Sequence, residues 1–175
     1  MQISEASQML KQDDFTFAVR TVWADLGCGN GIFTLALAGL LQPQSVIYAI
    51  DKNTSSLQQI PETCNSVIIN KQRGDFVNDK LSFTGLDGIL MANSLHYVKD
   101  KIAFLEKATT CLKEDSCFLI VEYDTDTSNT WVPYPLGFSS LRSLFLQAGF
   151  SLVKKLQERP SIYRRANMYS VVVRK

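Results

Sequence analysis

Residues 23–33 read WADLGCGNGIF: an acid, then three glycines at alternate positions, then an apolar run. Glycine has no Cβ, so Gly27, Gly29 and Gly31 allow the backbone to turn sharply and to approach a ligand closely. The spacing argues against two phosphate-binding loops. A dinucleotide turn of the form G-x-G-x-x-G starting at Gly27 needs glycine at position 32, where Ile32 stands. A Walker loop needs Gly-Lys-Ser/Thr, which does not follow. What remains is a ligand that takes close backbone contact and tolerates the carboxylate of Asp25 beside it. An ammonium and a sulfonium both fit that electrostatically.

Such a turn needs a strand to feed it and a helix to leave it. Apolar runs without alternation, at residues 21–25, 46–51, 67–70, 87–92 and 118–123, predict strands buried on both faces, as in a parallel sheet. Between them the pattern predicts helices over 32–41, 54–60, 100–112 and 139–148, with Asp100 as an N-cap and Gly149 just past the last turn. Strand and helix alternate, so the expected fold is a doubly wound, mostly parallel α/β sheet. Residues 150–156 and 168–173 follow one another as strands with no helix between, which predicts a C-terminal antiparallel hairpin at a sheet edge and brings the count to seven. Ile3, Ala6, Met9 and Leu10 recur at helical spacing, so residues 1–20 read as an N-terminal helical segment laid over a core of residues 21–175, within one domain. Residues 124–137 form the longest polar, proline-bearing loop, placed at a strand end where α/β sheets build their binding crevice. Tyr97, Trp131 and Tyr134 lie in loops expected over that crevice, where their rings could close on a substrate or simply pack onto the sheet edge.

Composition narrows the classes. The 175 residues carry 18 Lys and Arg against 17 Asp and Glu, net +1, and are 46% hydrophobic, too apolar for a disordered chain. No apolar stretch approaches the ~20 residues that span a bilayer, so no membrane partner is expected. The opening MQISEASQMLKQDD lacks a basic region followed by an apolar run, so a secretory signal is not expected and a cytoplasmic location is. Cys28, Cys64, Cys111 and Cys117 match no zinc spacing, and one histidine cannot complete a Cys/His cluster. Glu122, Asp124 and Asp126 sit in a polar stretch without further ligands, so no metal is expected there either. Residues 154–175 hold seven basic residues and one acid, Glu158, a local +6 that could meet an anionic substrate or nucleic acid, or form a solvated hairpin. Within it, Arg159, with Arg164 and Arg165 nearby, could bind a carboxylate or phosphate.

The residues resemble the class I S-adenosylmethionine-dependent methyltransferases, and within them the small type-11-like domains. Asp25, Gly27, Gly29 and Gly31 match that family's acid-x-Gly-x-Gly-x-Gly motif. The strand VIYAID ends in Asp51, twenty residues after Gly31, where the family places an acid on the ribose hydroxyls, with Lys52 next to it. Gly74-Asp75-Phe76 is similar to its adenine pocket, an acid for the amine and an apolar neighbour for the ring. LDGILMANSLHYVKD, residues 86–100, resembles the fourth-strand motif, whose segment from Asn93 to Tyr97 faces the methionine end and the reacting centre; SLRSLFLQAGFSLV resembles the family's late helix, Gly-Phe and strand. The likeness spans nearly residues 20–175.

The resemblance implies a Rossmann-like sheet of seven strands in the order 3-2-1-4-5-7-6. It implies S-adenosyl-L-methionine as cofactor, released as S-adenosyl-L-homocysteine and held by Asp25, Gly27, Gly29, Gly31, Asp51, Lys52, Asp75, Phe76 and Asn93. His96, the one histidine, falls where the donor methyl would lie, and an imidazole that titrates near neutrality suits a general base. Tyr97, Trp131, Tyr134 and Arg159 are then the expected substrate contacts, for a small acceptor that Arg159 would suit if it is anionic. Two alternatives stay open: an RNA methyltransferase, suggested by the basic tail although the Asn/Asp-Pro-Pro-aromatic motif is missing, and a non-catalytic protein that binds the cofactor and regulates a partner.

Overall fold

The computed structural model describes residues 1–11, 19–160 and 166–175; the expectation for Arg164 and Arg165 therefore lies outside the described residues. In chain order the elements are α1 (Ile3–Leu10), β1 (Val22–Leu26), α2 (Ile32–Ala38), β2 (Val46–Asp51), α3 (Thr54–Leu57), β3 (Thr63–Cys64), β4 (Val67–Arg73) and β5 (Leu86–Ala92). A short 3-10 turn (Leu95–Tyr97), α4 (Lys101–Thr109), β6 (Leu112–Tyr123), α5 (Phe138–Gln147), β7 (Leu152–Pro160) and β8 (Asn167–Arg174) complete the chain.

All strands join one sheet in the order β3-β4-β2-β1-β5-β6-β8-β7. β1 pairs in parallel with β2 and β5, β2 with β4, and β5 with β6. β8 runs antiparallel to β6 and to β7, giving the C-terminal hairpin. The expected order holds for the seven predicted strands. Among the described residues the count is corrected to eight by β3, which pairs with β4 through Thr63↔Ile68 and Cys64↔Val67. The two linking residues, Asn65 and Ser66, have φ of 50° and 63°. Two left-handed residues make the tight hairpin turn whose twist matches that of the flanking strands. Helix ends also move: the segment expected to stay helical over 100–112 stops at Thr109, and β6 begins at Leu112 beside Leu86.

The sheet is covered on both faces. On one, α1 and α2 bury Met9, Leu10, Phe33 and Leu37 against Trp23 and Ile47. On the other, Phe104 of α4 and Phe145 of α5 pack with Phe118, Phe150 and Tyr169. Where β1 and β5 pair, Gly88 leaves its Cβ position to the indole of Trp23, its register partner. Asp100 accepts from the Ala103 amide at 3.1 Å as the N-cap of α4, and Gly149 follows α5 at φ 86°. No helix among the described residues is long and apolar enough to cross a membrane.

Candidate active site

A cleft of about 420 Å³ opens along one edge of the sheet. Its walls follow the strand order: Asp51 ends β2, Asp25 lies near the end of β1, Asn93 follows β5, Tyr123 ends β6, Met168 lies near the start of β8 and Arg159 near the end of β7. Six neighbouring strands thus each contribute a residue to one trough, at the carboxyl edge where open α/β sheets bind ligands.

The glycine turn forms the floor. Gly27 and Cys28 donate their amides to Ile50 O at 2.8 and 3.0 Å, which pins the turn to β2. Gly29 has φ 54° and nothing within 4 Å of its Cβ position, so a side chain there would project into open space. Its amide donates to Asp51 Oδ2 at 2.8 Å, while Asp51 Oδ1 accepts from the Asn53 amide at 2.8 Å. Gly27 is crowded instead: a Cβ would stand 2.7 Å from Ser94 Cβ and 3.0 Å from Phe76 Cε1.

Asp25 is 1% exposed, and its Oδ2 accepts from Thr34 Oγ1 at 2.6 Å. Burial pushes its carboxyl up to about 7, against the pull of the Thr34 hydroxyl, with Asp51 adding to the rise. Its Oδ1 and the Oδ1 of Asn93 are the buried side-chain oxygens without a partner among the described residues, and both residues line the cleft. Two orphan acceptors and the Asp51 carboxylate make a site that repels phosphate and suits a cation bearing N–H and O–H donors. The amino-acid and ribose ends of S-adenosylmethionine are such a ligand, so the residues present fit the cofactor the sequence suggests. Cys28 also lines the cleft, but burial, followed by the charges of Asp25 and Asp51, raises its thiol far above neutrality and keeps it protonated.

Of the other expected cofactor contacts, Asp75, Phe76 and Lys52 do not line the cleft. Asp75 turns its carboxylate onto its own loop, accepting from the Val77 and Asn78 amides at 3.1 and 3.4 Å and from Asn78 Nδ2 at 2.9 Å. Those bonds, the Asn78 side chain first, hold its carboxyl below the usual range. Phe76 is buried beneath Gly27 and meets Phe104 edge-on, and Lys52 is exposed.

The expected substrate contacts divide as well. Tyr97 and Arg159 line the cleft. Trp131 does not: it is 78% exposed, on a turn held by Asn129, whose side chain accepts from the Trp131 and Val132 amides at 2.9 and 3.1 Å. Tyr134 also lies off the cleft, its amide bound to His96 O at 3.0 Å and its carbonyl to Lys101 Nζ at 2.8 Å. His96, expected as the base, is 3% exposed and is not a cleft residue. Its Nδ1 sits 2.7 Å from Glu122 Oε2 and its amide donates to Glu122 Oε1 at 3.1 Å, so a buried carboxylate fixes both ring and backbone. The neighbouring acids cap α5: Asp124 accepts from the Phe138 amide at 2.8 Å, and Asp126 accepts from the Gly137 amide at 2.9 Å and Ser140 Oγ at 3.0 Å. Sequence reading passed over Tyr123 and Met168; their strands' ends at the ligand edge were the available signal.

A family model described as a methyltransferase domain matches residues 24–118, just over half of the chain and including the whole glycine turn. Among solved structures, the YcgJ protein from Bacillus subtilis superposes with a TM-score of 0.71 at 12% identity, over 98% of both chains. A putative S-adenosylmethionine-dependent methyltransferase from Listeria monocytogenes gives 0.70 at 17% identity, over 98% of this chain and 97% of that one. The S-adenosylmethionine-dependent methyltransferase SibL gives 0.71 at 19% identity over 98% of this chain, which spans only 55% of SibL. No curated protein matches the chain in sequence.

Proposed function

The chain belongs to the methyltransferase domain family, and from that premise we propose that it transfers a methyl group from S-adenosylmethionine to a small anionic acceptor. The observation that carries this reading is the pair of buried, unpartnered oxygens, Asp25 Oδ1 and Asn93 Oδ1, in residues that wall one cleft. An orphaned buried acceptor is costly, and a donor arriving in the cleft would offset that cost.

When bound, the cofactor supplies a sulfonium-activated methyl and a neutral leaving group, so the protein's part is alignment and exclusion of water. In this reading Asp25 and Asn93 hold the ammonium. Asp51 keeps lone pairs for the ribose hydroxyls after taking the Gly29 and Asn53 amides, since a carboxylate offers about four acceptor sites. The Gly27–Gly31 turn brings backbone against the ligand, Phe76 backs that turn from below, and Asp75 shapes the loop beside it. Tyr97, Tyr123, Met168 and Arg159 form the acceptor half, aromatic and apolar walls beside a guanidinium. His96 and Glu122 act as positioning residues for the Leu95–Tyr97 turn and, through Tyr134, for the loop that follows β6.

The test is turnover: purified protein, S-adenosylmethionine and a panel of small acids, with S-adenosylhomocysteine as the readout. Product formed with an acid supports the reading. No product with any acceptor, together with no calorimetric binding of S-adenosylmethionine, overturns it. Product formed only with RNA, through binding that weakens steeply with salt, moves the acceptor to nucleic acid.

A further inference from the structure

Arg159 reaches into the acceptor half of the cleft from β7, yet its guanidinium is held by a residue of α1. Nη2 of Arg159 lies 2.8 Å from Glu5 Oε1, an ion pair linking positions 154 residues apart, with both side chains partly shielded. Glu5 is itself anchored: its Oε2 accepts from the Gln2 amide at 2.7 Å, closing a capping box at the start of α1. Arg159 holds Glu5's carboxyl below the usual range, with the Gln2 amide as the next cause. Among the described residues no other carboxylate contacts Arg159. The helix that carries Glu5 is fixed to the body by buried Ala6, Met9 and Leu10 and by Ser170 Oγ donating to Met9 O at 2.6 Å.

A cation that lines a ligand cleft and is paired with the protein's own carboxylate from beside it is a carboxylate site with a stand-in partner. We propose that Arg159 recognises the carboxylate of an acidic acceptor and that Glu5 is the internal stand-in which that acceptor must displace. The proposal deepens the methyltransferase reading and rests on it for the word acceptor. Only one contact joins Glu5 to a guanidinium that carries five N–H donors, so an incoming carboxylate can make the paired, forked contact that Glu5 does not. The cleft sets the shape of the ligand. Asn93 follows β5 and Arg159 lies in β7, strands three spacings apart, roughly 14 Å along the sheet. Tyr97, Tyr123 and Met168 wall the cleft alongside them. The acceptor therefore carries its reacting atom and its carboxylate at opposite ends of a flat apolar body. α1 thereby becomes a specificity filter: neutral ligands of the same shape leave the Glu5–Arg159 pair intact and gain nothing from Arg159.

The experiment compares 4-hydroxybenzoate with its neutral amide, 4-hydroxybenzamide, by calorimetry on the full chain, with and without saturating S-adenosylhomocysteine. Three variants are used: Glu5→Gln, which keeps an acceptor for the Gln2 amide, Arg159→Gln, and Arg159→Lys as a milder change should the first fail to fold. The wild type is expected to bind the acid more tightly than the amide. Glu5→Gln tightens the acid about three- to fivefold and leaves the amide unmoved, as loss of a partly exposed ion pair should. Arg159→Gln or Arg159→Lys weakens the acid about tenfold or more and leaves the amide unmoved. Equal shifts for acid and amide, an acid affinity that Glu5→Gln does not raise, or no acid binding at millimolar concentration in any variant overturns the proposal. Failure of S-adenosylhomocysteine to bind counts against the cofactor reading alone, because the acid and amide arms are also read without it.

Discussion

The amide of Gly29 donates to Oδ2 of Asp51 at 2.8 Å, tying the turn after β1 to the acid that ends β2. The two residues stand 22 positions apart and lie side by side because β1 and β2 are parallel neighbours, with Leu26 opposite Ile50. The carboxylate therefore does two things. It holds the glycine turn open from behind, and it offers its remaining lone pairs to the cleft.

Two glycines separate fold from site. Gly29→Ala places a methyl in open cleft at φ 54°, costing about 1–2 kcal/mol of backbone strain. We expect a folded variant that binds S-adenosylmethionine at least about tenfold more weakly by calorimetry. Gly88→Ala drives a methyl into the Trp23 ring inside the sheet, and we expect loss of the cooperative thermal transition or a large drop in Tm. A Gly29→Ala variant that binds normally would remove the glycine turn from the site.

Asp25 makes the cofactor site sensitive to pH. Its carboxyl releases a proton near 3.8 in the unfolded chain and at about 7 in the fold. Between those values the native state keeps a proton that the unfolded state has lost, so this group's contribution to stability declines as pH rises across the window and is gone above it. Asp25→Asn should then raise stability at pH 8 by roughly 1–3 kcal/mol in urea unfolding. A cationic ligand favours the ionised form, so affinity for S-adenosylmethionine should climb with pH up to about 7 and then level. Affinity that stays flat from pH 5.5 to 7.5 would contradict this role for Asp25.

His96 is predicted to position rather than to take a proton. Glu122 is buried and holds both His96 nitrogens that contact it, so Glu122→Gln should cost about 1–3 kcal/mol in urea unfolding. His96→Asn should raise KM for the acceptor while leaving the pH dependence of kcat unchanged. Loss of about 10²- to 10⁴-fold in kcat together with the basic limb of the profile would restore the base assignment.

Trp131 tests the loop reading from the other side. With Trp131 78% exposed, Trp131→Ala should change stability by no more than about 0.5 kcal/mol and leave affinity for S-adenosylmethionine within about twofold.

The contrast between Asp51 and Asp75 shows what the sequence could convey. Asp51 is placed by a strand end, and strand ends follow from apolar runs and parallel order, so its arrival at the cleft was legible. Asp75 sits after a strand too, but a local choice decides its orientation: Asn78 and two nearby amides capture the carboxylate. Asx turns of this kind compete on the scale of single hydrogen bonds and leave little periodic trace. β3 escaped for a similar reason, since a two-residue strand depends on the left-handed conformations of Asn65 and Ser66. The pairing of Glu5 with Arg159 was illegible because no local pattern connects an N-terminal helix to the last hairpin. Trp131 was read from its place in a loop over the crevice, where it could close on a substrate or pack, while the Asn129 turn leaves it exposed and off the cleft lining.

The most direct test of the account is calorimetric titration of S-adenosylmethionine into the wild type and Asp51→Ala, with thermal unfolding as the control for folding. We predict saturable one-to-one binding by the wild type and at least about tenfold weaker binding by Asp51→Ala in a protein that still unfolds cooperatively. A wild type that does not bind, or an Asp51→Ala variant that binds as tightly as the wild type, would contradict it.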